Sequence, residues 1–85
     1  MYLHIGRDMI VPQEEIVAII DIDLSRKSDL TREFLQVAEV EGALQAVAKD
    51  EEPKSCIITT SKVYLSSISS ATLLKRAESG KLNLF

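Results

Sequence analysis

Tryptophan is absent, cysteine and histidine occur once each, and proline only twice. A single cysteine cannot close an internal disulfide, and no Cys/His cluster stands at zinc-ligand spacing. Neither of the usual staples of a small fold is therefore available, and an oxidising compartment is not expected. Two tyrosines and two phenylalanines are too few for the stacking platform that single-stranded nucleic acid prefers. No apolar run reaches the length of a membrane span, and no basic segment leads into an apolar stretch near the N-terminus. Neither a membrane contact nor a signal peptide is expected, and the chain reads as cytoplasmic. Gly6, Gly42 and Gly80 are the three glycines, far apart, so no glycine-rich phosphate loop exists. Positive charge is also in deficit: ten Lys and Arg against thirteen Asp and Glu leave a net charge of −3. That balance opposes nonspecific attraction to nucleic acid while leaving room for a local basic patch.

What is present is apolar. At 46% hydrophobic residues the chain is too rich to be disordered by composition. Its 85 residues make one domain, which on folding buries little more than roughly 60% of its unfolded surface. With no disulfide or metal, association of identical copies is the expected remedy for so thin a margin.

Residues 53–77, PKSCIITTSKVYLSSISSATLLKRA, organise the rest. Residues 56–60 and 63–65 are β-branched, aromatic and aliphatic, the make-up of two strands. Ser61-Lys62 between them is short enough for a hairpin but lacks Asn-Gly or Asp-Gly chemistry, so Thr60 or Val63 can belong to a longer loop. Ser69 and Ser70 then offer hydroxyls to the free N–H groups of a helix expected over 71–79. Leu73, Leu74 and Ala77 form its apolar side, Lys75 and Arg76 sit near its C-terminal end, and Gly80 is its expected stop.

Upstream, Tyr2-Leu3-His4-Ile5 alternates as a first strand, Gly6-Arg7-Asp8 is a turn, and Met9-Ile10-Val11 a short second strand closed by Pro12. After a polar connection at Gln13-Glu14-Glu15, residues 16–22 (IVAIIDI) suit a strand covered on both sides, central in the sheet or at a subunit interface. A charged loop over 23–28 precedes a helix capped by Ser28 or Asp29. That helix runs through Glu41 with Leu30, Phe34, Val37 and Ala38 on one face, and Gly42 ends it. Residues 43–48 allow continued helix by propensity, but Gly42 and the acidic loop 49–53 favour a strand. The order is β-β-β-α-β-β-β-α, an α+β domain over 1–80 with an antiparallel-rich sheet and two helices. Residues 81–85 form an apolar tail whose Leu82, Leu84 and Phe85 either reach a neighbouring subunit or fold back over their own helix.

MYLHIG, IVAIIDID and the PKS-strand-turn-strand-SSxSSxTLxKRA ending together resemble the RemA/RemB family of extracellular-matrix regulators, and most its RemB branch. The resemblance runs from Met1 to about Ala77. It implies a bacterial, non-enzymatic protein tied to biofilm-matrix gene expression and assembled from several identical subunits. In the RemA branch it further implies rings that carry DNA on basic loops, built on a domain like that of some response regulators. This chain departs at those loops. Glu15 stands where that branch has an arginine before the third strand, and Glu51 and Glu52, beside Asp50, stand where it has an arginine pair. Acids there replace phosphate contacts with repulsion.

Among the remaining cations, Arg26, Lys27, Lys54 and Lys62 are the candidates for DNA contact by position. Ordinary solubilising charge explains them as well, because they are not grouped in sequence. Ile16, Ile20, Leu82, Leu84 and Phe85 are the candidates for contact with another copy or partner. The acidic loops at Glu14-Glu15 and 50–52 are a second possible protein-binding surface. No catalytic residue, metal ligand or cofactor is expected. His4 lacks a second ligand and suits a packed or interfacial role, and Cys56 has no adjacent base. Asp21 and Asp23 would share one strand face yet match no calcium loop. Strand-end and N-cap roles account for Ser66, Ser67, Ser69 and Ser70.

Overall fold

The computed structural model describes residues 1–82, with side chains through Glu78. Strands β1 (Tyr2–Gly6) and β2 (Met9–Pro12) form an antiparallel ribbon. After a single 3-10 turn (Gln13–Glu15), β3 (Ile16–Asp21) enters a second sheet. Helices α1 (Ile22–Lys27) and α2 (Asp29–Val40) follow, then β4 (Leu44–Ala46), β5 (Ser55–Thr59), β6 (Val63–Ser66) and α3 (Ser70–Leu82). The expected α+β class and element order hold in outline, with one more helix than the sequence suggests.

The second sheet has the order β3-β5-β6-β4, antiparallel except where β4 runs parallel to β6. The chain crosses from β3 through α1 and α2 to the far edge, and the β5–β6 hairpin fills the gap. Of the two places expected for residues 16–22, central in the sheet or at a subunit interface, this corrects the first. β3 is an edge strand, and Val17 is 67% exposed beside a bulge in its pairing with β5. A run of β-branched residues looks the same whether the chain itself or something else covers it.

Alternation along β5 divides the core. Ile57 points to one side, where it meets Leu3, Ile5, Val11 and Leu73 from β1, β2 and α3. Cys56 lies on the other, with Val63 and with Ala38 of α2. The sheet is thus layered between the ribbon plus α3 on one face and α2 on the other. Ile5, Ile57 and Leu73 lose all exposure, each stabilising the fold by ~1.5–3 kcal/mol.

Local chemistry explains the boundaries. Asp21 accepts from the Asp23 N–H at 2.8 Å and caps α1 where a loop was expected over 23–28. Six residues with a single buried Ser25 give too weak a period to read. Ser28 caps α2 through the Thr31 N–H, and Gly42 follows that helix at φ +77°. In the hairpin turn, Thr59 Oγ1 accepts from the backbone N–H of Lys62 at 2.9 Å and of Ser61 at 3.4 Å, doing by side chain what Asn-Gly does by conformation. Ser69 caps α3 through the Thr72 N–H. Gly80 does not stop this helix, which continues to Leu82: a glycine weakens a helix without the flanking geometry that ends one.

Candidate interaction surfaces

Ser55 and Ser66, both fully buried, are joints rather than nucleophiles. Ser55 Oγ donates to the Ile68 carbonyl at 2.7 Å, and Ser66 Oγ donates to the Ile5 carbonyl at 2.6 Å while accepting from the Ile68 N–H. Together they fasten the ribbon and the α3 approach to the central sheet. Gly6 completes the joint. It sits at φ +129°, and a Cβ there would lie 3.1 Å from Val47 Cγ1.

Cys56 is fully buried, and burial pushes its thiol up to about 11. It is poorly placed for nucleophilic chemistry at neutral pH. His4 is exposed rather than packed. Its Nε2 bonds the Arg7 carbonyl, and its Nδ1 and backbone carbonyl face the Arg76 guanidinium at 3.4 and 3.3 Å. Among the described residues, no cluster of three His, Cys, Asp or Glu could hold a metal ion.

The candidate DNA-contacting residues separate into two places. Arg26 and Lys54 line one groove of about 370 Å3, with Asp21, Asp23, Glu52 and Ser69. Arg26 lies 3.7 Å from Asp23, so three carboxylates face two cations there. Lys27, exposed at the C-terminal end of α1, is next to Arg26 in sequence but is not part of that lining. Lys62 stands at the opposite end of the five-residue β5, about 17 Å away along the strand, and reaches Gln45 at 3.4 Å.

The acidic positions are divided in the same way. Glu15 is held at the hairpin-turn end, where its carbonyl accepts from the Thr60 N–H, while Glu51 and Glu52 precede β5 at the other. Arg7, from the turn between β1 and β2, meets Asp50 at 2.6 Å and Glu51 at 3.1 Å. Mainly by its hydrogen bond, it holds the Asp50 carboxyl below the usual carboxylate range. Nothing in the spacing of residues 7 and 50 announces this pair.

One exposed surface is apolar. Leu35 and Ala38 of α2 pack on the sheet, while Leu30 (80% exposed), Phe34, Val37 and Val40 (86% exposed) face outward. Leu30 and Phe34 join Ile20 of β3 and Ile58 of β5 around a groove of about 270 Å3. Of the two β3 candidates for contact, Ile20 lines this groove, whereas Ile16 packs against the core under the ribbon. Leu82 ends α3 without a described side chain, and Leu84 and Phe85 lie outside the described residues. The sequence period put Leu30, Phe34, Val37 and Ala38 on one face of α2, but only Ala38 of the four is buried, and the period could not tell which apolar stripe the sheet covers.

The RemA-like family, described as extracellular matrix regulatory protein A-like, matches residues 2–77. The chain belongs to this family. It is also 36% identical over 84 residues to extracellular matrix regulatory protein B of Bacillus subtilis (strain 168), an alignment covering 92% of this chain and 91% of that protein. No helix of the described residues is long and apolar enough to cross a membrane.

Proposed function

We propose that this chain is a non-enzymatic regulator of extracellular-matrix gene expression that works as a homo-oligomer and exerts control mainly through protein contacts. The observation that carries the reading is the uncovered apolar face formed by α2 and the β3 edge. Leu30 and Phe34 line one groove with Ile20 and Ile58, with Val37 further along the same helix, in a chain whose small core gives it little stability to spare. β3 is an edge strand with neither lysine nor proline, interrupted only by its bulge at Val17, and the open part beyond it is a surface that natural proteins usually cover. A second copy of the same chain supplies such a cover at no cost in specificity, since the partner is always present at the same concentration.

The charge layout supports protein contact over phosphate contact. The cations that would grip DNA are split between two ends of the hairpin, and those in the groove face an excess of carboxylates. The test is molar mass in solution by light scattering and sedimentation. The wild-type chain is expected to be a multimer of its 9.4 kDa unit, and Phe34→Glu, which puts a charge on the exposed face, is expected to dissociate it while retaining its circular dichroism spectrum. A monomeric wild type at all concentrations would refute the reading.

The runner-up is direct DNA binding. Arg26 and Lys54 sharing one groove is the observation in its favour. Unchanged DNA affinity in Arg26→Ala/Lys27→Ala would remove the α1 cations from that account.

A further inference from the structure

The groove between α2 and the sheet is an open socket of about 270 Å3 lined by Ile20, Ile58, Leu30 and Phe34, with Thr31 the one polar residue among them. The next depression along α2 is bordered by Glu33 and Glu41 around Val37 and Val40. An occupant suited to this face has two or three apolar side chains close together and a positive charge beside them. The chain carries such a segment in Lys81-Leu82-Asn83-Leu84-Phe85. We infer that the tail of one copy, through Leu84 and Phe85, seats in the α2 groove of a neighbouring copy. This rests on the homo-oligomer reading above and gives it a donor and a receptor surface.

The layering of the fold decides between a neighbour's groove and the chain's own. Helix α3 packs by Leu73 and Ala77 against the ribbon side of the sheet, with Ile57. The groove opens on the opposite side, with Ile58 and Ile20. Phe85 is three residues beyond Leu82, so its Cα is at most about 10 Å from that of Leu82, no more than the thickness of one packed layer. Leu73 and Ala77 hold α3 on the far side of the sheet from the groove, so its own groove demands nearly all of that reach, whereas a second copy presents the tail from outside without that limit. Contact of this kind is heterologous, because the donating and receiving surfaces differ, and it repeats from copy to copy into a ring or a filament. Lys81 would then lie close to the Glu33 and Glu41 side of the receiving helix.

Disulfide trapping on the full chain tests this. Leu30→Cys and Leu84→Cys are made separately, one of them isotope-labelled, then mixed, allowed to exchange and oxidised mildly. Cys56 stays out of the reaction because it is fully buried. The expected product is a covalent dimer with one chain of each kind, at least ten-fold above the Leu30→Cys self-dimer. In the double variant, Leu30→Cys/Leu84→Cys, the expected product is a ladder of higher covalent multimers. A multimeric wild type that gives no mixed adduct would overturn the tail-to-groove contact while leaving the oligomer reading intact. A monomeric wild type would remove both. A double variant closed within a single chain would also overturn the inference, by placing the tail on its own helix. As an independent readout, Leu84→Glu/Phe85→Glu is expected to weaken self-association at least ten-fold with the folded spectrum unchanged.

Discussion

Ser66 shows how much a small polar residue can decide in so small a core. Its hydroxyl joins β6 to the Ile5 carbonyl and the Ile68 N–H, and it is fully buried. Ser66→Ala removes a donor and leaves the Ile5 carbonyl short of a partner, a change that costs ~1–3 kcal/mol. The midpoint of urea unfolding is expected to fall accordingly, with the slope unchanged, and a variant as stable as wild type would mean that water replaces the hydroxyl. Cys56 adds a pH effect of definite sign. Its folded thiol titrates at about 11 against an ordinary value of 9.0, because burial penalises the thiolate. The contribution is therefore fully present below about 9 and lost as pH rises toward 11, where the unfolded chain ionises first. Between those values wild-type stability is expected to fall more steeply than that of Cys56→Ala, the difference being read from urea unfolding at each pH. The serine run was legible in sequence as strand-end and cap chemistry, and the cysteine as inert. The bonds from Ser66 to Ile5 and from Arg7 to Asp50 were not, because each joins residues more than forty positions apart and no local pattern marks such a pair.

At the scale of elements, the strands and the two longer helices follow from hydrophobic period and caps, and the sequence located them to within a few residues. Two elements were misplaced for identifiable reasons. Helix α1 has six residues and takes its cap from Asp21, so its only sign was an aspartate two positions before another. β3 carries the most apolar run in the chain, which suggests a central strand, yet the path through α1 and α2 leaves it at the edge. The turn between β1 and β2 was recognised by Gly6, and the structure supplies the reason that glycine is needed there. At φ +129° an L-residue is strained, and its Cβ would press on Val47 at 3.1 Å. Gly42, at φ +77°, has nothing within 4 Å, so only the backbone objects. Gly42→Ala is therefore expected to destabilise by ~1–2 kcal/mol, the cost of an L-residue in the left-handed region, and Gly6→Ala by more, because the Val47 contact adds to its backbone strain. Thermal unfolding of the two variants orders them, and equal shifts would mean that the Val47 contact relaxes freely.

For the whole molecule the question is what the surface can hold, and salt dependence answers it. Each phosphate contact contributes a slope of about −0.9 to the change of log affinity with log salt. In a single copy the groove offers Arg26 and Lys54, so two contacts and a slope near −1.8 are the most it can give. Asp21, Asp23 and Glu52 border the same groove and oppose even those. Fluorescence anisotropy with duplex DNA is expected to show no binding at physiological salt and, at most, weak binding with a shallow slope at low salt. Glu51→Arg/Glu52→Arg changes the local balance by four units and leaves Asp50 as the partner of Arg7. That variant is expected to gain affinity with a steeper slope, showing that the acids, not the fold, keep DNA away. A wild type that binds tightly with a slope of roughly −5 or beyond would require several copies to pool their cations on one duplex. Control through protein contacts would then give way to DNA binding by the assembled oligomer, with the apolar α2 face serving to build it.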